Sequence, residues 1–177
     1  MIPAIAENGS LYPIEKLEAH RVGALHLAIS VFVFCEGQLL IQRRALGKYH
    51  SPGLWANTCC SHPHWGEAPE TAATRRLQEE LGLVCDLSFA GVTEYRADVG
   101  SGLIEHERVH AYVADLPVLP KLSLNPEEVM EVDWISVADL KQAIAREPGK
   151  FAEWLKQYLA GLSAPPLDLA PALAKAG

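Results

Sequence analysis

The chain has 177 residues, 49% apolar and 21% charged, with a formal net charge of −7. That length suits one domain with a full core rather than two, and the acidic balance excludes a general nucleic-acid binder, which needs a basic surface. No apolar run spans a bilayer, the opening MIPAIAENGS lacks the regions of a signal peptide, and cysteines at 35, 59, 60 and 85 are too few and irregular for a disulfide scaffold, so a reduced cytoplasmic protein without a membrane partner is expected.

Residues 25–34, LHLAISVFVF, alternate as a strand. Leu25, Leu27, Ile29, Val31 and Val33 share one face, and His26, Ala28, Ser30, Phe32 and Phe34 the other. Cys35-Glu36-Gly37-Gln38 reads as a turn into a hairpin partner at 39–43. Residues 45–66 are rich in Gly, Pro, Ser, His and Asn and predict a long loop, a kind that usually carries function. Pro69 suits the first turn of a helix and Gly82 the position past its end, with Ala72, Ala73, Leu77 and Leu81 as a narrow apolar stripe. Strands are predicted over 89–96 and 103–113. Ser136 with Asp139 resembles a capping box and starts a helix to about Arg146. A last helix runs from near Lys150 to Leu159, with Gly161 as its stop. The Ala/Pro-rich tail at 163–177 is expected to be loosely ordered. The order predicts one α/β (α+β) domain over 1–162 with a mixed sheet flanked by helices.

Chemistry-bearing residues gather around 57–83, NTCCSHPHWGEAPETAATRRLQEELGL. Cys60 and His62 sit two apart in the loop, and Glu79-Glu80 end the helix that follows, so groups for proton transfer and metal binding share one local unit. Glu105 and Glu107 point to one side of their strand, the side continued by Val109, Ala111 and Val113. Carboxylates heading a buried face need a partner, and a cation is the simplest one for two together. Alone, His20 or His26 is an ordinary satisfied or surface histidine. Convergence of His20, His26, His62, Glu105 and Glu107 would suit an octahedral divalent ion with one position left over, unlike a tetrahedral, thiolate-rich structural zinc site. Arg43, Arg44 and Lys48 with Arg75 and Arg76 form either a solvated basic face or a positive pocket on an acidic body.

Glu67, Arg75, Leu77, Glu79-Glu80 and Gly82-Leu83 resemble the Nudix signature, with Ser61 in place of its first Gly and Arg76 in place of the Glu after the Arg. The second exchange replaces a metal ligand with a guanidinium suited to phosphate, so the resemblance implies the fold without its pyrophosphate hydrolysis. Joined to NTCCSHP, the altered box resembles type I isopentenyl-diphosphate Δ-isomerases over roughly residues 10–160. Further matches are Ile14-Glu15-Lys16, Arg43-Arg44-Ala45-Leu46, Tyr95-Arg96-Ala97, the Glu127-Glu128-Val129 stretch and Trp154. The chain departs from familiar patterns in the six-residue spacing of His20 and His26 and in His50-Ser51 before Pro52.

The resemblance implies interconversion of isopentenyl and dimethylallyl diphosphate by protonation and deprotonation through a tertiary carbocation. It implies Cys60 and Glu107 as proton-transfer groups, Tyr95 beside Glu107, and Trp154 over the site. It implies a divalent ion (Mn²⁺, Mg²⁺ or Zn²⁺) on His20, His26, His62, Glu105 and Glu107. A second ion, Mg²⁺, would arrive with the diphosphate at Glu80. Lys16, Arg44, Lys48, Ser61 and Arg76 would grip the diphosphate. No organic cofactor is implied, and the protein is expected as a monomer or weak homodimer. The alternatives are a Nudix-type pyrophosphate hydrolase and a non-catalytic metal- or diphosphate-binding module.

Overall fold

The computed structural model describes residues 1–161, and the expected tail at 163–177 lies outside them. In chain order the elements are β1 (Ile2–Ile5), β2 (Leu11–Ile14), α1 (Lys16–Val22), β3 (His26–Cys35), β4 (Gln38–Arg44), β5 (Trp55–Ala56) and β6 (Cys59–Ser61). There follow α2 (Pro69–Leu81), β7 (Ser88–Asp98), β8 (Ile104–Leu116), β9 (Val129–Ser136), α3 (Val137–Arg146) and α4 (Glu153–Ala160).

β3 is the spine of one nine-stranded mixed sheet. Along one edge it pairs in parallel with β8 over its full length, from His26 opposite Glu107 to Cys35 opposite Leu116. Its other pairings, with β1, β6 and β4, are all antiparallel. β7 extends the sheet beyond β8, and β9 and β5 pair with β4. The β3–β4 hairpin closes through Glu36 (φ 51°) and Gly37 (φ 74°), two left-handed residues whose twist matches that of the strands.

Both faces of β3 are covered, because its alternation puts apolar side chains on each. Ile29, Val31 and Val33 pack against Ala72, Ala73, Leu77 and Leu81 of α2. Ala28, Phe32 and Phe34 pack with Val109, Ala111 and Val113 of β8 under Leu140 of α3 and Trp154, Leu155 and Tyr158 of α4. Among the described residues no helix is long and apolar enough to cross a membrane.

α2 starts with Pro69, whose missing N–H costs nothing in a first turn. It ends at Gly82, whose φ is 64° and whose backbone N–H donates to the Gln78 carbonyl. A Cβ there would lie 2.8 Å from the Ser123 Cβ, so this position needs glycine for space as well as for conformation. α3 is capped as expected: the Ser136 Oγ accepts from the Asp139 N–H at 3.0 Å and donates to its carboxylate at 2.7 Å.

Several elements depart from the sequence expectation. The loop at 45–66 contains β5 and β6, each too short for periodicity to reveal. The β1–β2 hairpin was not predicted, since each strand carries a proline, which counts against a strand. β9 was missed because three of its eight residues are exposed and only Val129 is buried, so no apolar alternation marks it. α4 begins at Glu153 rather than near Lys150, because a single 3₁₀ turn (Pro148–Lys150) and the extended Phe151 precede it.

Candidate active site

Register alone assembles the site. Residues directly opposite one another in adjacent strands share a sheet face. Glu107 of β8 faces His26 on one side and Tyr95 of β7 on the other, while Ser30 of β3 faces Cys60 of β6. All five lie on the face covered by α4. α1 adds the fully buried His20, and His62 follows directly after β6.

His20, His26, His62 and Glu107 each offer one donor atom, and these atoms all lie within 4.8 Å of one another. The His62 Nε2 is 2.9 Å from the Glu107 Oε1 and 3.1 Å from the His26 Nε2, and His26 Nε2 is 3.6 Å from the same carboxylate oxygen. The Nδ1 atoms of His20 and His26 donate to the carbonyls of Lys16 and Ala24 at 2.7 and 2.8 Å. Each such bond fixes the tautomer and leaves an Nε2 lone pair free for an ion. In an octahedron of roughly 2.1 Å bonds, neighbouring donors lie about 3 Å apart and opposite ones about 4.2 Å apart. The spacing and the nitrogen–oxygen composition therefore fit a divalent ion. Glu105 enters a second, overlapping group with His20 and His50.

Tyr95 donates to both carboxylates, its hydroxyl lying 2.8 Å from Glu105 Oε2 and 2.7 Å from Glu107 Oε2. Burial, reinforced by the neighbouring Glu107 charge, holds Glu105 well above the usual carboxylate range. Burial also pushes Glu107 upward, but the adjacent His26 and His62 imidazoles outweigh it and hold that carboxyl low. Burial thus opposes charge on Glu105 and on the Tyr95 phenol, while the adjacent imidazoles favour it on Glu107.

The Cys60 thiol donates to Asn57 Oδ1 at 2.9 Å and lies 3.1 Å from Ser30 Oγ, which is itself 3.1 Å from the Tyr158 hydroxyl. Burial raises its pKa, so sulfur keeps its proton at neutral pH.

Lys16, Arg44, Lys48, Ser61 and Arg76, the residues expected to grip phosphate, line one small cavity of about 30 Å³ with Cys60, Tyr95, Glu105, Glu107 and Trp154. Lys16 shows how crowded the positive charge is: burial, then repulsion from Lys48, Arg44 and Arg76, brings its pKa down to about 8. The Arg44 guanidinium lies 5.1 Å from the centre of the Trp154 ring. Arg76 is held by carboxylates, at 2.7 Å from Glu79, 2.7 Å from Glu80 and 3.1 Å from Glu128. Glu80 is buried and also accepts from Gln42 at 2.8 Å. Arg75 and Glu67 form a two-pronged pair with both bonds at 2.7 Å.

The structure thus gathers the expected residues at one end of the sheet, with Glu80 on the Arg76 side of the basic cluster. Sequence reasoning missed His50, Ser30, Asn57, Tyr158 and Glu128 as site neighbours. Ser30 was findable, because it shares a strand face with His26. Tyr158 was also findable, one helical turn beyond Trp154. His50 and Glu128 lie in irregular segments that no periodicity marks.

A NUDIX domain family matches residues 24–155. A Cereibacter sphaeroides protein named isopentenyl-diphosphate Delta-isomerase is 56% identical over 165 residues, covering 90% of each chain. Proteins of the same name from Jannaschia sp. and Rhodobacter capsulatus are 55% identical (86% of this chain, 87% of theirs) and 52% identical (90% of each). Among solved structures, a Deinococcus radiodurans protein superposes with a TM-score of 0.65 at 17% identity over 82% of this chain and 88% of its own. A MutT NUDIX hydrolase from Burkholderia pseudomallei gives 0.60 at 20% identity over 77% of this chain and 96% of its own. At those identities the structural likeness concerns the fold alone.

Proposed function

The chain belongs to the isopentenyl-diphosphate Delta-isomerases, built on a NUDIX domain, and from that membership we propose how its own residues interconvert isopentenyl and dimethylallyl diphosphate. The reaction adds a proton to one end of an alkene and removes another from the carbon next to the resulting tertiary cation. It needs an acid and a base on the two sides of the substrate, and a site closed to water. The observation that carries the proposal is the meeting of the Cys60 thiol and the Tyr95–Glu107 pair in one cavity beside the basic cluster.

Lys16, Arg44, Lys48, Arg76 and the Ser61 main chain hold the diphosphate, and Glu80 meets the Mg²⁺ that travels with it. Cys60 and Glu107 exchange protons with the substrate carbons. Tyr95 orients Glu107 and links it to Glu105. Trp154 shields the cation with its ring, an effect on the order of 1–2 kcal/mol in a dry site. His20, His26, His62, Glu105 and Glu107 hold the divalent ion, Mn²⁺, Mg²⁺ or Zn²⁺, which when bound neutralises the carboxylate charge and fixes Glu107 in place.

Pyrophosphate hydrolysis is disfavoured by a specific arrangement. Arg76 stands where the Nudix signature has a Glu, and it engages Glu79, Glu80 and Glu128 at once. Carboxylates shared with a guanidinium leave Glu80 able to meet one substrate-borne ion but are poorly placed to assemble the several-ion, water-activating cluster of a hydrolase.

Incubation with isopentenyl diphosphate in deuterated water, followed by proton NMR, tests the proposal. The expected product is the allylic isomer carrying deuterium in a methyl group. Release of inorganic phosphate without isomerisation would instead mark a hydrolase.

A further inference from the structure

We propose that His50 is a further ligand of the divalent ion, filling the sixth position left by the three other histidines and two glutamates. This rests on reading the histidine–glutamate cluster as a cation site. His50 joins His20 and Glu105 in a second group of donor atoms, all within 4.8 Å of one another. His20 belongs to both groups, yet its Nδ1 is committed to the Lys16 carbonyl. The remaining Nε2 has one lone pair and serves one ion. Two divalent ions sharing it would also sit close enough to repel each other strongly. The two groups share His20, and although their donors do not all lie within 4.8 Å of one another, together they offer four imidazoles and two carboxylates, the number an octahedral ion takes once the side chains close on it.

The surroundings of His50 point the same way. The ring is buried and lies over His20, with centroids 5.4 Å apart at 25°. Its Nδ1 has only distant polar neighbours, Ser51 Oγ at 3.5 Å and Glu105 Oε1 at 3.6 Å, both too far for a strong hydrogen bond. The backbone directly after it is strained, Ser51 being a buried non-glycine residue at φ 49°.

A full set of protein donors leaves no coordination position for solvent. An ion so held orders the carboxylates without activating water, which would otherwise trap the carbocation.

Mn²⁺ alone is the probe. Its affinity is read from the free-ion electron paramagnetic resonance signal, and its exchangeable water from the relaxation of solvent protons. With the intact chain, bound Mn²⁺ should barely relax solvent. His50→Ala opens a position, so relaxation should rise and affinity fall at least about tenfold. His50→Gln, which preserves bulk and polarity, guards against a folding defect and should also weaken binding. Unchanged relaxation and affinity in both variants, with binding lost in His26→Ala, would overturn the role of His50 alone. Parent-like affinity in His26→Ala as well would overturn the cation site itself.

Discussion

Cys60 and Glu107 come from strands that do not touch each other, and both reach one cavity because β3 lies between them with Ser30 and His26 as their partners. Each is held by hydrogen bonds that leave no freedom to wander, the thiol by Asn57 and the carboxylate by Tyr95 and His62. Cys60→Ala and Glu107→Gln are therefore expected to lower turnover by at least about 10²–10⁴-fold, with circular dichroism of the parent form. Turnover within tenfold of the parent in either variant would contradict the assigned chemistry. This part of the site was legible because chemistry and spacing coincide: a Cys two before a His, and two Glu on one strand face. His50 was not legible. A lone histidine in a Gly/Pro-rich loop carries no period, and only the folded path of residues 45–54 shows that it stacks on His20.

Helix α2 carries two kinds of charge. Arg76 faces the cavity and holds Glu80, while Arg75 reaches back to Glu67 in the preceding loop and ties loop to helix. The Arg75 hydrogen bonds hold Glu67 down at about 2, against an ordinary value of 4.5. The sign follows from the depressed value. The stabilisation is complete above the unfolded pKa and is lost as pH falls from about 4.5 towards 2. Near the surface it is worth on the order of 1 kcal/mol after screening. In urea unfolding, Glu67→Gln should be less stable than the parent at neutral pH, and the difference should shrink by about pH 3. A gap independent of pH would show that the pair contributes packing and not charge. At this scale most of the fold was readable, because β3, β4, α2, β7, β8 and α3 each combine periodicity with a turn or cap residue. The β1–β2 hairpin and β9 escaped because proline in one case and exposed acidic residues in the other hide strands that pairing partners hold in place.

The whole molecule is a sheet packed on both faces, with the donor cluster at the end where β3 and β8 begin. An ion that binds this cluster only in the folded chain stabilises the entire domain. At a hundredfold excess over its dissociation constant the gain is about 2.7 kcal/mol. For a chain of this size that corresponds to a rise in melting temperature of roughly 5–10 °C. Calorimetric scans with increasing Mn²⁺ should show it, and a midpoint insensitive to the ion would argue against binding to the native state. The parallel pairing of β3 with β8 gives this linkage a particular edge. No tight turn brings these strands together, and a slip of one residue would set His106 or Arg108 opposite His26 and turn Glu107 to the other side of the sheet. Only the correct alignment offers an ion its seat, so a bound metal would act as a proofreader of this long-range pairing, rewarding the one register from which the chemistry is possible.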